Sequence, residues 1–390
     1  MSPSGGTPGL IKGPVTPLPA FRSLTIELTE RCNLNCVHCY INRPDEDRRS
    51  RALELSTADW KRIIAQAVDS GTLTVRFTGG EPLLRPDFGE IYRFTRKLGM
   101  RVKLFTNATL FTPAVAEMLG EIPPLDTMEI TVFGMQPTSY EAVTRRRGSF
   151  KAFRRGIDLL VRHRVPFAVK GVWLPQNREE VEAFESWATT LPGINEPPAY
   201  SFFFDLRTRR DSKAKNLVIS GLRPGAESMV KFMSRRRKTY EKETKQFLER
   251  FPLRPMGDVL LDCGAGHTST IDAYGLLQPC MLIRHSSLVV DLKRLNLREA
   301  LHTNLDRIEK VRAHDPRYLQ RCARCFIRNL CQQCPGKSWS EHGTLDTPVE
   351  YLCQVAHAQA RGLGLLEAGE KAWEIEEWPE RVDRAWIGRT

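Results

Sequence analysis

Residues 32–40 read CNLNCVHCY, and their three cysteines have the spacing C-x3-C-x2-C. A cubane iron-sulfur cluster is ordinarily held by four Cys thiolates, and this short loop offers three. Cys32, Cys36 and Cys39 therefore predict a cluster that has one iron left free to bind another molecule. The alternatives are a structural zinc site, which would require a fourth ligand close by, or three unrelated buried thiols.

The chain around this loop has the sequence pattern of an α/β protein. Short β-rich runs alternate with amphipathic helical stretches, which is typical of parallel strands joined by crossover helices. Six strands are predicted, at 23–28, 72–77, 102–105, 128–133, 167–173 and 200–206. Six strands are too few to close an eight-stranded barrel. The expected fold is a partial (β/α)6 TIM-like barrel followed by a small cysteine-rich domain.

Polar motifs follow the predicted strands at the points where the strands end. The cysteine loop follows the first strand, Gly79, Gly80 and Glu81 follow the second, and Thr106 and Asn107 follow the third. The carboxyl ends of parallel strands meet at one edge, so these motifs are predicted to share one mouth. Adjacent glycines allow close approach of a ligand, and a carboxylate can accept from an ammonium group. A common turn is the alternative interpretation of Gly-Gly-Glu-Pro.

Seven further cysteines lie in the last third of the chain. In order they are Cys263, Cys280, Cys322, Cys325, Cys331, Cys334 and Cys353. A reducing compartment keeps thiols free, so ten cysteines in a chain without a signal peptide favour metal ligation over disulfides. Zinc knuckles built from the cysteines between 322 and 334 are the alternative, and they would leave three cysteines unexplained.

The cysteine trio followed by Gly-Gly-Glu resembles the signature of the radical S-adenosylmethionine (SAM) enzymes. The resemblance implies that the free iron binds SAM and that the reduced cluster releases a 5'-deoxyadenosyl radical. It also implies that SAM is contacted by His38, Tyr40, Gly79, Gly80, Glu81, Thr106, Asn107 and Thr131. In that family the Gly-Gly-Glu element meets the SAM amino group, and the residues flanking the last cysteine lie near the adenine. Relatives often carry Asp at the position of Phe133, and the arginine that meets the carboxylate stays open among Arg145, Arg154 and Arg155.

The later cysteine array resembles the SPASM domain, which holds auxiliary clusters in many of these enzymes. The resemblance thus implies three [4Fe-4S] clusters, of which one binds SAM and two are auxiliary. The inner auxiliary cluster would use Cys263, Cys280 and Cys334, and the outer one would use Cys322, Cys325, Cys331 and Cys353. Seven thiolates do not fill eight sites. Either the inner cluster keeps an open iron, or a carboxylate such as Asp258 or Asp262 closes it.

The cysteine inventory narrows the expected reaction to a net oxidation by an enzyme of the peptide-maturase type. No thiol is left over to return a hydrogen atom, which disfavours epimerisation. Met281 stands where sulfatase-maturing relatives carry an Asp base, and Met cannot take a proton. We expect a cross-link in a ribosomally synthesised precursor peptide, with no catalytic side chain identified. The alternatives are oxidation or decarboxylation of a small molecule such as a tetrapyrrole, and a non-catalytic electron carrier.

The predicted organisation has five segments. They are a flexible N-terminal tail at 1–20, the radical SAM domain at 21–210, a helical bridge at 211–255, the auxiliary-cluster domain at 256–360 and a C-terminal tail helix at 361–390. Only about twenty residues precede the first strand. Leader recognition would then need a separate protein or another surface, such as the basic bridge at 213–250.

Composition limits the expected partners. The formal net charge is +12, but the basic runs at 145–147 and 235–238 carry no interleaved aromatic residues of the kind that stack bases. The basic runs therefore do not predict a nucleic acid as a partner. A membrane is not expected either, because no apolar run approaches the length of a membrane span. We therefore expect a cytoplasmic enzyme. The family resemblance implies a reductant such as flavodoxin or ferredoxin.

Overall fold

The computed structural model describes residues 21–263 and 265–387, so the tail predicted at 1–20 lies outside the described residues. Eleven strands are described within these ranges. They are β1 (Ser23–Thr29), β2 (Arg31–Cys32), β3 (Arg43–Pro44), β4 (Thr74–Gly79), β5 (Arg101–Thr106), β6 (Leu125–Val132), β7 (Phe167–Val172), β8 (Ala199–Ser201), β9 (Thr270–Ile271), β10 (Leu276–Gln278) and β11 (Val290–Asp291).

Helices alternate with these strands along the first half of the chain and dominate the second half. They are α1 (Arg48–Leu53), α2 (Thr57–Asp69), α3 (Phe88–Lys97), α4 (Pro113–Glu121), α5 (Pro137–Thr144), α6 (Ser149–Arg162), α7 (Val181–Ala188), α8 (Lys213–Leu222), α9 (Ala226–Met233), α10 (Arg237–Arg250), α11 (Leu297–Lys310), α12 (Pro335–His342), α13 (Glu350–Gly362) and α14 (Trp378–Ile387). A π-helical turn covers Tyr318–Cys322.

Nine of the strands form one sheet in the order β11-β10-β9-β1-β4-β5-β6-β7-β8. All pairs from β9 to β8 are parallel, and β10 is antiparallel to both of its neighbours. The six predicted strands are thereby confirmed as neighbours in a parallel sheet with an open edge at β8. The sheet extends beyond them, because the hairpin of the second cysteine array supplies β9, β10 and β11. The cysteine-rich region is therefore continuous with the barrel sheet.

Helix α2 illustrates why the crossover helices form where they do. Ser56 caps its first turn, and the side chain of Asp59 bonds back to the Ser56 backbone, which completes a capping box. Trp60, Ile63 and Ile64 are fully buried on one face of the helix. Spacing of three and four residues places these side chains together against the sheet, as the sequence pattern predicts.

The barrel sheet has one apolar face and one polar face. Ile26, Phe77, Leu104 and Ile130 belong to the main hydrophobic core under the helices. Side chains of the opposite face include Arg76, whose guanidinium lies 5.1 Å from the centre of the Phe105 ring. Lys170 Nζ lies 3.7 Å from Glu129 Oε1 on the same face. The strands that carry these polar side chains end at the edge of the sheet where the predicted site motifs lie.

The C-terminal segment is less helical than predicted. Helix α13 continues to Gly362, and among residues 363–387 only Trp378–Ile387 is an α-helix. Trp378 stacks at 6.1 Å on Phe326, and Trp373 meets the His357 ring at 5.3 Å. Ring contacts of Trp373 and Trp378, and not a continuous helix, therefore hold this segment against the rest of the chain. Across residues 21–263 and 265–387, no helix combines the length and the hydropathy needed to cross a bilayer.

Candidate functional site

The cysteine loop leaves the carboxyl end of β1 and is fixed by backbone bonds on both sides. Strands β2 and β3 pair across its base, and the N–H groups of Asn35 and Val37 donate to carbonyls at the end of α5. Cys32 Sγ accepts from the Leu34 N–H at 3.4 Å, and Cys39 Sγ accepts from the Asn42 N–H at 3.4 Å. N–H groups directed at sulfur are typical of thiolates that ligate metals.

The three thiols of the loop are close enough to influence one another. Burial raises the pKa values of Cys32 and Cys36, and each is raised further by the neighbouring thiolates, including Cys39. A protein interior disfavours several thiolates in one place unless a cation site compensates them. Bound iron would supply that compensation, because coordination deprotonates a thiol outright. The three cysteines therefore fit a metal cluster better than they fit three independent thiols.

A single zinc ion and a cubane cluster place different demands on the positions of the three sulfurs. Tetrahedral zinc requires ligands that converge on one point at about 2.0–2.3 Å. In the part of the chain that the structure describes, no group of three or more His, Cys, Asp or Glu side chains is arranged to hold one metal ion. A cubane attaches each thiolate to a different iron, so its ligands need not converge in this way.

Gly79 and Gly80 bring β4 against the start of the cysteine loop. A Cβ atom on Gly79 would lie 2.0 Å from the Thr29 carbonyl oxygen, and one on Gly80 would lie 2.2 Å from the Arg31 carbonyl oxygen. The Gly80 N–H donates to the Thr29 carbonyl at 2.7 Å. The close approach expected for a ligand is therefore made, at both glycines, to the protein's own backbone, which fixes the register between β4 and the cysteine loop.

Substituting Gly80 with alanine should destabilise the fold by about 3 kcal/mol or more, because the backbone atoms that meet the new methyl group cannot rotate away. The measurement is the free energy of unfolding in denaturant. Gly221→Ala is the matched control, since Gly221 lies in α8 and a Cβ added there would meet no atom within 4 Å. This control should gain up to about 1 kcal/mol from helix propensity. Equal stability of the Gly80 variant and the wild type would contradict the close packing of Gly80 against the backbone at Arg31.

Glu81 is fully buried and bonds within the protein. Its Oε1 accepts from Thr106 Oγ1 at 2.8 Å and from the Leu83 N–H at 3.2 Å, and its Oε2 accepts from the Asn107 N–H at 2.8 Å. A carboxylate has about four acceptor positions, so three of them are occupied. Burial raises the pKa of Glu81 to about 7. Glu81 thus joins the ends of β4 and β5 through three hydrogen bonds, which leave one of its acceptor positions for the predicted contact.

Asn107 continues this network to the cysteine loop. Its amide nitrogen donates to Asn33 Oδ1 at 3.1 Å and approaches Cys32 Sγ at 3.8 Å. Asn33 in turn donates to Thr109 Oγ1 at 2.8 Å. Thr106 and Asn107 are thus brought to the same mouth as the cysteines, as predicted, and Asn107 contacts one of the three sulfurs.

The flanks of the last cysteine carry aromatic side chains. The His38 ring lies 5.8 Å from the Phe133 ring and 5.5 Å from the Phe204 ring. Its Nδ1 is buried without a hydrogen-bond partner among the described residues, and burial lowers the His38 pKa to about 4. Burial also raises the pKa of Tyr40. Thr131 lies half-buried on β6, paired in register with Lys170 of β7.

Of the three arginines that could meet the SAM carboxylate, Arg145 directly follows Val143 and Thr144, whose carbonyls hold the cysteine loop. Arg145 is exposed in a left-handed conformation at the end of α5, and Arg155 is exposed on α6. The Arg154 guanidinium lies 5.3 Å from the centre of the Trp187 ring.

The second cysteine array divides into two groups in space. Cys322, Cys325, Cys331 and Cys353 line one cavity, which is closed on other sides by side chains such as Ile327 and Val349. Burial raises the pKa of Cys322 to about 11 and that of Cys331 to about 12, and the Cys353 thiolate adds to both. Four thiols around one cavity are the arrangement that the predicted outer cluster requires.

The second group consists of the three other cysteines. Burial raises the pKa of Cys280 to about 12, with additional effects of the neighbouring Cys334 and Cys263 thiolates. Cys263 is exposed, whereas the other two are partly buried. The two carboxylates that could supply an eighth ligand form exposed ion pairs, Asp262 with Arg254 at 3.7 Å and Asp258 with Arg312 at 3.9 Å.

A buried ionic cluster, for which the sequence gives no signal, joins β1 to the hairpin of the second array. It consists of Glu27, Glu30, Arg209, Asp272 and Arg284. Arg284 Nη2 donates to both Glu27 oxygens at 2.7 Å, and Arg209 bonds Glu30 and, at 2.9 Å, Asp272. All of these side chains except that of Arg209 are at most 3% exposed. Arg284 follows Cys280 by four residues, so the buried ionic cluster ties the two cysteine regions together.

The family match covers the strand-helix repeats. The sequence model of the Radical SAM superfamily matches residues 26–188. AdoMet-dependent heme synthase of Methanosarcina barkeri is 32% identical over 193 residues, which are 50% of this chain and 53% of that protein. This chain spans about half the length of the first curated relatives that it matches.

Two relatives with peptide-related names match as well. The subtilosin biosynthesis protein AlbA of Bacillus subtilis is 25% identical over 353 residues, covering 84% of this chain and 73% of AlbA. PqqA peptide cyclase of Gluconobacter oxydans is 41% identical over 127 residues, covering 33% of this chain and 34% of the cyclase.

Two solved structures show the same fold over most of the chain. They are anSMEcpe with bound AdoMet, with a TM-score of 0.61, 16% identity and coverage of 93% of this chain and 94% of that one, and Streptococcus suis SuiB bound to precursor peptide SuiA, with a TM-score of 0.61, 16% identity and coverage of 85% and 76%. At these identities the likeness concerns the fold alone. Residues 26–188, which include the three-cysteine loop at the end of β1, therefore form a radical SAM domain.

Proposed function

We propose that this chain uses a 5'-deoxyadenosyl radical to cross-link a ribosomally synthesised precursor peptide by net oxidation. The observation that carries the proposal is the pairing of two thiol assemblies in one fold. The three-cysteine loop lies at the barrel mouth, and the hairpin that precedes Cys280 extends the same sheet. A net oxidation must deliver a surplus electron, and auxiliary clusters next to the barrel would accept it.

In this proposal Cys32, Cys36 and Cys39 hold a [4Fe-4S] cluster whose free iron binds SAM. When bound and reduced, that cluster supplies the single electron that cleaves SAM. The chain's own residues fix the loop: Asn107 donates toward Cys32, and the glycines of β4 set its position. The unpartnered Nδ1 of His38 is available to the adenine, with Tyr40 on the other flank. Thr106 and Thr131 are proposed as further polar contacts of SAM.

The amino group of SAM needs an acceptor at this mouth. The backbone carbonyls of Gly79 and Gly80 and the remaining acceptor position of Glu81 are the proposed acceptors. Three hydrogen bonds already orient the Glu81 carboxylate. Glu81 would therefore fix the ends of the two strands and also accept a hydrogen bond from the SAM amino group.

The two spatial groups of the later cysteines support two auxiliary clusters. The outer cluster is assigned to the four cysteines that line one cavity, and the inner cluster is assigned to Cys263, Cys280 and Cys334. The boundaries proposed for the domains are 21–210 for the radical SAM domain, 211–255 for the helical bridge and 256–360 for the auxiliary-cluster domain. A cytoplasmic reductant such as flavodoxin or ferredoxin would supply electrons.

The peptide substrate is proposed from the relatives. AlbA belongs to the biosynthesis of a bacteriocin, PqqA peptide cyclase is named for its peptide, and SuiB was solved with a precursor peptide. The match to AlbA extends over 84% of this chain. A peptide substrate therefore agrees with a relative that matches most of the chain.

The test is anaerobic incubation of the reconstituted enzyme with SAM, dithionite and the precursor peptide encoded next to its gene. We expect each cross-link to remove the mass of two hydrogen atoms, with one 5'-deoxyadenosine formed per event. Cys331→Ala, which alters the outer cavity, should still form 5'-deoxyadenosine but lose most of the cross-linked product. Formation of 5'-deoxyadenosine together with an unchanged peptide mass would reject cross-linking.

A tetrapyrrole is the second candidate substrate, because the heme synthase of Methanosarcina barkeri is 32% identical over half of this chain. The same assay with Fe-coproporphyrin III in place of the peptide separates the two candidates. A decarboxylated or oxidised tetrapyrrole in this assay, together with an unchanged peptide mass in the peptide assay, would favour this alternative.

A further inference from the structure

A cation from the helical bridge reaches the cysteine loop. Lys215 lies on α8, and its Nζ donates to Asn42 Oδ1 at 2.6 Å and to Asn35 Oδ1 at 3.3 Å. These two asparagines stand on either side of Cys36 and Cys39 in the sequence. Lys215 therefore bridges both halves of the loop that carries the proposed SAM-binding cluster.

Arg207 contacts the same part of the loop but differs from Lys215 in its charge balance. Its Nη1 donates to the Asn42 carbonyl at 3.1 Å, while its other nitrogens bond both Asp211 oxygens at 2.8 and 2.9 Å. A second arginine, Arg43, also pairs with Asp211 at 3.0 Å. Arg207 is thus held in an ion pair with a carboxylate, which it shares with Arg43.

Lys215 has no such carboxylate. Within residues 21–263 and 265–387 no ion pair joins its Nζ to an Asp or Glu, and its side-chain hydrogen bonds go to amide oxygens. A partly buried ammonium is costly unless an opposite charge compensates it. A cluster held by Cys36 and Cys39, whose loop carries both asparagines that Lys215 contacts, would supply that charge.

The charge of a cluster in this loop explains why a cation is needed there. Three thiolates on an oxidised [4Fe-4S] core leave a net charge of about −1, and reduction makes it about −2. A fixed positive charge nearby favours the more negative, reduced state. Charge and hydrogen bonds around the sulfurs are the properties through which a protein sets such a potential.

We propose that Lys215 is a positioning residue that holds the cysteine loop and favours reduction of the cluster bound there. The proposal rests on the assignment of the loop to the SAM-binding cluster and is independent of the substrate that the enzyme oxidises. Lys215 acts through two asparagine side chains and through its charge, and it is placed neither on SAM nor on the substrate.

The test is an EPR-monitored redox titration of the anaerobically reconstituted full chain. The signal of the SAM-binding cluster is identified by its change on addition of SAM. For Lys215→Gln we expect the ratio of reduced to oxidised cluster at a fixed potential to fall about tenfold, which is a shift of about 59 mV for one electron. Lys215→Arg keeps the charge and should restore the wild-type potential.

Lys213→Gln is the matched control, because Lys213 is exposed on the same helix and its substitution removes the same charge away from the loop. It should titrate like the wild type. A Lys215→Gln variant that retains iron and has the wild-type potential would overturn the proposal. So would a change in the SAM dissociation constant at an unchanged potential, since Lys215 would then act as a SAM ligand.

If Lys215→Gln lost iron, Lys215→Arg would show whether the missing charge is the cause. If Lys215→Arg lost iron to the same extent, charge would not be the property that matters, and the proposal would fail. The outcome is separable from that of the proposed function. A wild-type enzyme that cleaves SAM but leaves the peptide unchanged rejects cross-linking and does not affect the potential of Lys215→Gln.

Discussion

Replacing Cys32, Cys36 and Cys39 with alanine should abolish the formation of 5'-deoxyadenosine and remove about four iron atoms per chain. The loss is expected to be complete, because these thiols are the only protein ligands proposed for the cluster that binds SAM. The measurements are chromatography of 5'-deoxyadenosine after anaerobic incubation with SAM and dithionite, and iron and sulfide analysis. About twelve iron atoms are expected in the wild type and about eight in the triple variant.

Cys331→Ala serves as the matched control for this experiment. Cys331 lines the outer cavity together with Cys322, Cys325 and Cys353, and no residue of the SAM loop lines that cavity. The control should lose iron and yet cleave SAM. Persistent SAM cleavage by the triple variant, or its loss to the same degree in Cys331→Ala, would contradict the separate assignment of the two cysteine regions.

Arg284→Met should lower the free energy of unfolding by about 3–5 kcal/mol, because it leaves the buried Glu27 carboxylate without a cation, while Glu30 and Asp272 keep Arg209. Glu27 would lose both of its hydrogen bonds to the guanidinium. Denaturant unfolding of the metal-free chain measures the effect, so that lost cluster binding is not counted. Arg237→Met is the control, since Arg237 is 79% exposed in its pair with Glu241 and its loss should cost under about 1 kcal/mol.

Replacing Glu27 with glutamine in the Arg284→Met background should recover part of the lost stability, because it removes the carboxylate that Arg284→Met leaves uncompensated. If the double variant were no more stable than Arg284→Met, the Glu27–Arg284 pair would not be the origin of the effect.

The same carboxyl also gives a pH signature. Burial, with help from Glu30, raises the pKa of Glu27 from 4.5 to about 7 against the opposing effect of Arg284. The folded protein therefore binds a proton more tightly than the unfolded chain, so this contribution to stability is complete below pH 4.5 and is lost as the pH rises through 7. The free energy of unfolding of the wild type minus that of Glu27→Gln should fall across this pH window. Parallel curves of unfolding free energy against pH would contradict the raised pKa of Glu27.

The barrel is largely predictable because its strands and helices are long enough to show their periodicity. The six predicted strands are neighbours in the sheet, and α2 begins at the capping box that Ser56 and Asp59 indicate. Strands β9 and β11 contain two residues each, and no alternation can be detected over such a length. Their place beside β1 and β10 is set by tertiary contacts, which is why the sequence pattern indicates a separate cysteine-rich domain.

The candidate site also has one part that the sequence predicts and one part that it does not. The positions of the cysteine loop and of Thr106 and Asn107 follow from where strands end, and this is visible in the sequence. The contacts of Glu81 and of the glycines depend on which backbone lies opposite, and sequence spacing gives no sign of it. Lys215 and Asn42 are separated by 173 residues, so their bond has no local signal.

A cluster with three protein ligands, in the loop at the end of β1, is expected to bind SAM and cleave it, and every other assignment of the site depends on this. Its most direct test is the wild-type chain, purified without oxygen and incubated with SAM and dithionite, with its metal content determined on the same sample. Iron, sulfide and newly formed 5'-deoxyadenosine are the predicted result. Zinc in place of iron, or SAM recovered intact from a fully iron-loaded and reduced protein, would contradict it.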